Sequence, residues 1–416
     1  MDRKESYASV FSIAILGTIL LIVTNGMTFT GITVFDEAII DEFGWSKSQL
    51  KFRDFVNLVT ASFLMPFVGA AIDKFGVKRM MVLGLVIISG LLYAYSFVQA
   101  TFHMYAIHFA FALAVSGAGT LATVIMVSQR VKKRRGTAIG IALAGTSAGG
   151  MIIPQIGGWL LENYGWRGAF QYEAVIPLVI AVILFFFLKP IRYKDKAGEK
   201  SKPGQPDADT GLTEIQFRDA LRMPVFWAIS LAGIFCFYSI MGIISNLFLY
   251  LRELDFSMAA AQNTFTIFFG LILVAKLTSG VVTEFISEHK LFKIQLALMT
   301  VGAVGMALNT ATMVWPSLIA VGLGWGGLYT LFNYIIITTF GVKSAGKIGG
   351  VISVFEGVGA GVGSWLTGLI SDQTGSYSAS FWVVVVLLGI AFLISFFIRP
   401  VDKGEDKVVS GEIAVA

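Results

Sequence analysis

Two ionisable side chains stand inside apolar runs long enough to cross a bilayer: Lys276, in Leu273-Val-Ala-Lys276-Leu-Thr-Ser-Gly280, and Glu356, in Val354-Phe-Glu356-Gly-Val-Gly. Each costs at least about 2.5 to 3.5 kcal/mol on insertion scales, so an intramembrane charge is a functional candidate by default. The chemistry open to the pair is simple. An ammonium in an apolar surround binds a carboxylate, and a carboxyl group beside it carries a proton. If Glu356 pairs with Lys276 in the empty protein, a proton on Glu356 frees the lysine for an anion, and the two travel together. The bland alternative is a static ion pair that fixes one helix against another.

Other reactive types offer less. The single cysteine, Cys236, lies in an apolar run and reads as a packed small hydrophobe. With three histidines in all, metal catalysis has almost no ligands. His108 reads as a neutral, packed ring, with proton relay as the sharper alternative. Gly341-Val-Lys-Ser-Ala-Gly346-Lys347 nearly spells a phosphate-binding loop, but Ile348 stands where Ser or Thr must hold magnesium and no strand precedes it. No serine-base, paired-cysteine or His-Glu-x-x-His constellation appears, so the expectation is no enzyme, no catalytic residue, no metal and no cofactor.

The elements that must position these residues follow from composition. Hydrophobic residues make up 56% of the 416 and charged ones 14%, against roughly 45–50% and about 25% in a soluble domain. That much apolar surface needs a bilayer. Runs of about 20 apolar residues place twelve helices near 8–35, 55–72, 80–100, 104–127, 138–160 and 170–188, then 225–249, 258–283, 291–314, 318–339, 348–370 and 381–398. The expected architecture is an all-α integral membrane protein: an N-terminal six-helix bundle (1–188), a cytoplasmic central loop (189–222), a C-terminal bundle (223–400) and a cytoplasmic tail (401–416). Asp219-Ala-Leu-Arg-Met-Pro224 suggests a short surface helix ended by its proline.

A repeat supports the division. Gly69-Ala-Ala-Ile-Asp73, Gly158-Trp-Leu-Leu-Glu162, Gly280-Val-Val-Thr-Glu284 and Gly368-Leu-Ile-Ser-Asp372 share one grammar at intervals of 89, 122 and 88 residues. Four units in two pairs result, each motif closing the second helix of its set of three. With the N-terminus inside, 25 of the 31 Lys and Arg residues fall on the inner side, which predicts both termini in the cytoplasm. The net charge of +5 is then a topology signal and not one for nucleic acid.

The stretch Gly69-Ala-Ala-Ile-Asp73-Lys74-Phe-Gly76-Val-Lys78-Arg79 resembles the loop signature of the major facilitator superfamily at every specified position. A second pattern of that superfamily is similar in the fifth helix: Gly140, Gly149, Pro154, Gly157 and Gly158, with Ile153 where a glycine is usual. Glu42-Phe-Gly-Trp-Ser-Lys, Arg134-Arg-Gly-Thr-Ala-Ile-Gly, Gly165-Trp-Arg-Gly-Ala-Phe170 and Arg218-Asp-Ala-Leu-Arg-Met-Pro-Val-Phe-Trp227 look like its monocarboxylate porter and oxalate:formate antiporter branch. The resemblance implies two pseudo-symmetric bundles that rock about a central site.

By resemblance, Lys276 stands where the branch has an arginine that meets the substrate carboxylate. Lysine lacks the bidentate fork. Ile272 stands where an aspartate is common, and Glu356 and Glu37 stand where lysines occur, which disfavours a dianion and fits a monoanion or zwitterion. The resemblance also puts Asn25, Thr28, Tyr238, Tyr329 and Asn333 in cavity-lining helices. It assigns Gly69, Asp73, Gly76, Lys78 and Arg79 to a conformational latch. Asp36, Glu37, Arg53 and Asp54 read as a charge cluster at the outer rim, with gating as the alternative. The expected activity is alternating-access, proton-coupled transport of a small organic anion by a monomer in a bacterial cytoplasmic membrane. Its rival is proton-antiport efflux of drugs or organic cations, kept open by Glu37, Glu356 and the helix 5 glycines.

Overall fold

The computed structural model describes residues 7–131, 134–189 and 215–398, all helix and turn with no strand among them. Most of the central loop, Lys132 and Lys133, and the tail lie outside the described residues. Ten helices are long and apolar enough to cross a membrane, and the bent pair Lys47–Met65 with Phe67–Phe75 makes an eleventh. One of the ten, Arg135–Phe187, has 53 residues, about 80 Å at 1.5 Å per residue and more than twice a bilayer core of about 30 Å. It breaks at Gly165, whose φ of 66° and ψ of 170° favour glycine. Counted as two, it brings the spans to twelve.

Helix 1 is Val10–Phe43, helix 2 Lys47–Phe75, helix 3 Val77–Tyr95 and helix 4 Thr101–Arg130. Helices 5 and 6 are 135–164 and 166–187. Helices 7 to 12 are Pro224–Glu253, Met258–Val282, Glu288–Ala307, Ala311–Phe340, Gly346–Thr374 and Tyr377–Phe397. Helix 1 is not uniform. It passes through a π-helical turn, Gly26–Thr30, and a 3₁₀ turn, Gly31–Phe35, before resuming at Asp36. Such π-turns recur at functional sites.

Buried apolar side chains form two clusters, one from Val10 to Leu188 and one, apart from Val34, from Ala220 to Ile398. Each half is bound by a matching close contact. A β-carbon on Gly145 would lie 2.3 Å from the Thr18 carbonyl oxygen and one on Gly149 3.0 Å from that of Ile22, so helix 5 lies backbone to backbone on helix 1. In the other half Gly359 and Gly363 meet the Ile234 and Tyr238 carbonyls at 2.3 and 2.1 Å. The i, i+4 pair on helices 5 and 11, against helices 1 and 7, is the pseudo-symmetry in atomic form. Lipid gives no hydrophobic drive between helices, so small residues that admit close packing carry the contact. Ile153, the departure noted in the sequence, packs on Gly26 and Gly31.

Some local expectations change. The short surface helix is Phe217–Ala220, and Pro224 opens helix 7 and does not close the helix before it, because proline at the first helical position forfeits no hydrogen bond. Helix 2 starts at Lys47, eight residues earlier than apolarity alone indicated, because Ser46 and Gln49 form a capping box. The near phosphate loop is not a loop: Gly341, at φ 88°, breaks the chain after helix 10, and the residues that follow it, from Val342, are already helical and lead into helix 11.

Candidate functional site

The two halves meet along helices 2 and 11 and along helices 5 and 8, and both seams open in the same direction. Along helix 11, the Asp372 carboxylate accepts from the backbone N–H groups of Lys47 (3.0 Å) and Ser48 (2.7 Å). Trp365 meets the rings of Phe52 and Phe55, Gly361 meets Val59, and Gly357 meets Ser62. Beyond that point a β-carbon on Gly350, Gly346 or Gly69 would touch nothing within 4 Å. Along helix 8, Gln262 lies against Gly158, Thr266 donates to the Met151 carbonyl at 3.0 Å, and Phe269 covers Gly150. The last link is Lys276, whose Nζ donates to Thr146 Oγ1 (3.1 Å) and Ser147 Oγ (3.2 Å). Past it, Gly280, Gly140 and Gly136 again face open space. The molecule is therefore closed at the end carrying Trp45 and open at the end carrying Gly76.

Lys276 and Glu356 both stand at the last contact before the halves part. Each is eighteen residues, about 27 Å, from the Trp45 end of its own helix. They share a level but not a bond. Lys276 is held by two hydroxyls and lies 4.5 Å from the centre of the Tyr329 ring, a cation–π contact. Glu356 lies on helix 11 against Gly233 of helix 7, with its Cγ 3.2 Å from the β-carbon position there. The expected pairing is thus not made in this conformation, and Tyr329 stands within the electrostatic reach of Glu356 and in contact with Lys276. The Tyr329 ring adjoins Trp325, which adjoins Phe237, at centroid distances of 5.9 and 4.9 Å.

The remaining sequence candidates divide. Asn333 is exposed one turn nearer the Gly76 end and donates to the Tyr329 carbonyl at 3.0 Å. Asn25 flanks the π-turn and is partly exposed, whereas Thr28 is buried with its hydroxyl on the Thr24 carbonyl at 2.5 Å. Tyr238 is buried, its backbone against Gly363 of helix 11. His108 is buried with neither ring nitrogen bonded and its edge against Tyr95 and Phe111.

The expected rim cluster is not at the rim. Asp36 and Arg53 are fully buried and Asp54 nearly so, because Asp36 pairs with both Arg53 and Lys51, and Arg53 also reaches Tyr95 OH at 3.0 Å. Lys51 at the same time donates to the Ser245 carbonyl of helix 7. Glu37 alone behaves as a rim group, pairing with Arg252 of the other half at 2.8 Å. Lys47 adds a bond to Glu253 at 2.8 Å and one to Ser371 at 3.0 Å. Glu42 accepts from Trp166 Nε1 (2.7 Å) and from Arg167 (2.5 Å), so two of the fragments that carried the resemblance dock on each other.

At the open end, the cleft around Ile72 to Arg79, Val82, Leu83, Val86, Gln129 and Phe185 encloses about 910 Å³, all of it lined by the N-terminal half. Lys78 donates to the Phe185 carbonyl at 2.8 Å, while Asp73 and Arg79 are exposed and Asp73 makes no ion pair among the described residues. Gly69 and Gly76 have nothing against them. Among the described residues, no hydrogen bond or ion pair joins a latch residue to the other half.

A chain of twelve apolar helices in two pseudo-symmetric halves, closed at one end over two half-buried ionisable side chains, is a multi-pass membrane transporter and not an enzyme. The family model of the Major Facilitator Superfamily matches residues 16–363 and again 250–415, and the chain belongs to that superfamily. It is 25% identical over 372 residues to monocarboxylate transporter 13 of Bos taurus, covering 85% of this chain and 82% of that one. It is 24% identical over 413 residues to the probable sulfoacetate transporter of Cupriavidus necator, covering 92% of each. Among solved structures, a bacterial homologue of the human lysosomal transporter Spinster, inward-facing and unoccupied, superposes with a TM-score of 0.75 at 18% identity, covering 94% of this chain and 98% of that one.

Two features escaped the sequence reading. Glu173, fully buried within the sixth span, has both carboxyl oxygens without a hydrogen-bond partner. The rule that found Lys276 applies to it equally, since it stands among apolar residues. The cross-half links of Lys47, Lys51 and Asp372 left no such signal, because their partners lie some 200 to 325 residues away in the chain.

Proposed function

We propose that the protein moves a small organic monoanion or zwitterion by alternating access, coupled to protons. The observation that carries this reading is the state of Lys276: an ammonium at the last contact before the halves part, bonded only to hydroxyls and an aromatic face, with no carboxylate in its bonding shell. A substrate carboxylate displaces nothing charged when it binds there. Thr146 and Ser147 belong to one half and Lys276 to the other, so an anion at this point bridges both. Glu356, at the same level, takes the proton that balances the anion. With Glu356 protonated the site carries the one positive charge of Lys276, which favours a single negative charge on the cargo. The relatives that transport monocarboxylates or sulfoacetate support an organic anion as the class.

Helix 2 and helix 11 run antiparallel, and Asp372, at the C-terminal end of helix 11, caps the N-terminus of helix 2. We assign Asp73, at the C-terminal end of helix 2, the matching task at the N-terminus of helix 11 when the Gly76 end closes. The cytoplasmic membrane, with both termini inside, and a monomeric unit complete the reading. They rest on the distribution of Lys and Arg and on the completeness of the site within one chain.

Efflux of an organic cation is the second reading, favoured by the row Tyr329, Trp325, Phe237 near an acid that faces no cation. Uptake of radiolabelled lactate, pyruvate and betaine into proteoliposomes, with and without an imposed proton gradient, separates the two. Accumulation of any of the three on an inward proton gradient supports the first. Absence of all uptake together with proton-driven export of a lipophilic cation supports the second.

A further inference from the structure

The N-terminal half holds an acid that neither the cavity nor the gate uses. Glu173 lies on helix 6, seven residues beyond Trp166, about 10 Å in from the Trp45 end. It is fully buried, and no donor reaches either oxygen. A β-carbon on Gly157 of helix 5 would lie 3.2 Å from Glu173 Oε1 and 3.1 Å from the ring of Phe35 on helix 1. From helix 3, Ser89 spends its hydroxyl on the neighbouring Ala174 carbonyl at 2.7 Å.

Charged groups exist nearby but are spent on one another. Asp36, next to Phe35, holds Lys51 and Arg53; Arg53 also faces Asp54 and Tyr95; and His108 packs on Tyr95. The rings of Phe170 and Tyr95 stack on each other and Phe170 meets Phe35, continuing the apolar wall. At the mouth, Arg167 is committed to Glu42. Among the described residues, no cation is left for Glu173. An ionised carboxylate with neither donor nor counter-ion in such a place costs several kcal/mol, and a neutral carboxyl avoids most of that cost.

We infer that Glu173 is a second proton-carrying site of the transporter, holding its proton while the Trp45 end is closed and exchanging it with the solution on that side when the end opens. The link to the gate is covalent and short. Phe35 closes the 3₁₀ turn that covers Glu173, and the next residue, Asp36, holds Lys51, whose other bond is to the Ser245 carbonyl of the opposite half. Opening withdraws Ser245 from Lys51 and frees the Gly31–Phe35 turn, which admits water to Glu173. The proton passes to that water and the carboxylate that remains is solvated; the reverse step reloads it. This inference rests on the proton-coupled reading above.

The test uses the full-length protein in liposomes. In the infrared spectrum at pH 7, the wild type is expected to show a protonated carboxyl C=O band that Glu173→Gln lacks. Proton-driven accumulation by Glu173→Gln is expected to fall to the equilibrium level, with substrate exchange within about twofold of wild type. Since glutamine mimics a neutral acid, the variant is expected to fold with an unchanged Tm. An unaltered carboxyl band, full accumulation by Glu173→Gln, or failure of that variant to fold while Glu173→Asp folds each overturns the inference. If the wild type shows no proton-driven accumulation, the functional reading itself fails, and the infrared comparison still decides whether Glu173 is protonated.

Discussion

Asp372→Asn probes the gate at its most legible bond. The carboxylate accepts from two backbone N–H groups in the first turn of helix 2, at 3.0 and 2.7 Å, and sits at the positive end of that helix. Asparagine keeps one acceptor oxygen, surrenders the charge and leaves one N–H to water. Hydrogen bonds to charged groups contribute about 1.5 to 3 kcal/mol and neutral ones about 0.5 to 1.5, and the helix-terminus term adds about 0.3 to 1. Asp372 is exposed, so solvent screening holds the sum at the low end, about 1 to 2 kcal/mol, or roughly 5- to 30-fold in an equilibrium. The measured quantity is the alkylation rate of a cysteine at Val34, which is fully buried and packs with the C-terminal cluster beneath the gate. In detergent, with Cys236 replaced by serine, Val34→Cys is expected to react about 5 to 30 times faster when combined with Asp372→Asn. An unchanged or slower rate would refute the assignment of Asp372 to the closed end.

Lys276→Gln is expected to weaken substrate binding about 10- to 100-fold, the loss of one charge-assisted bond, read as Kd by tryptophan fluorescence; Lys276→Arg is expected to retain binding. Glu356→Gln is expected to abolish proton-driven uptake in proteoliposomes and leave exchange intact, and persistence of accumulation against a gradient rejects the scheme. Gly363→Ala forces a β-carbon to 2.1 Å from the Tyr238 carbonyl, so helices 7 and 11 must separate; a loss of about 1 to 3 kcal/mol is expected as a lowered Tm, whereas Gly350→Ala, facing open space, is expected to leave Tm unchanged.

The sequence carried the fold because membrane spans are written in composition, and carried Lys276 and Glu356 because charge in an apolar run is conspicuous. It did not carry their relation. Both residues belong to the C-terminal half, and what keeps them apart is packing within and against it: Lys276 turns to helix 5 and the Tyr329 ring while Glu356 packs on Gly233 of helix 7, and apolar runs encode the helices but not these neighbours. Asp36, Arg53 and Asp54 were misplaced for a related reason: a cluster of charges near a span end reads as solvated, and only a three-way pairing across helices 1, 2 and 7 shows that it is internal. The motif acid Asp372 was legible as a repeat unit, but not as a cap on a helix that begins 325 residues earlier. Glu173 was overlooked although its signal was present: it stands inside the sixth apolar run, 170–188, three residues from its start.

The strength of the closed end bears on what the cargo must supply. Two of its links, Lys47 with Glu253 and Arg252 with Glu37, are ion pairs whose side chains keep contact with solvent, and pairs of that kind contribute about 0 to 1 kcal/mol each; Asp372 on the helix 2 terminus adds about 1 to 2 kcal/mol. Only the bond from Lys51 to the Ser245 carbonyl is fully buried, with a contribution of about 1.5 to 3 kcal/mol. Opening the Trp45 end therefore disrupts only a few kcal/mol of polar contact. A carboxylate meeting Lys276, together with the hydroxyls of Thr146 and Ser147 from the other half, contributes a similar amount when both halves close around it and less when they part. Binding of that size shifts a two-state equilibrium only through the difference between the states. The gate and the site are thus matched: a gate built from buried triads on every link would hold the molecule in one state, and a site without a cross-half ligand would leave the cargo no means of moving it.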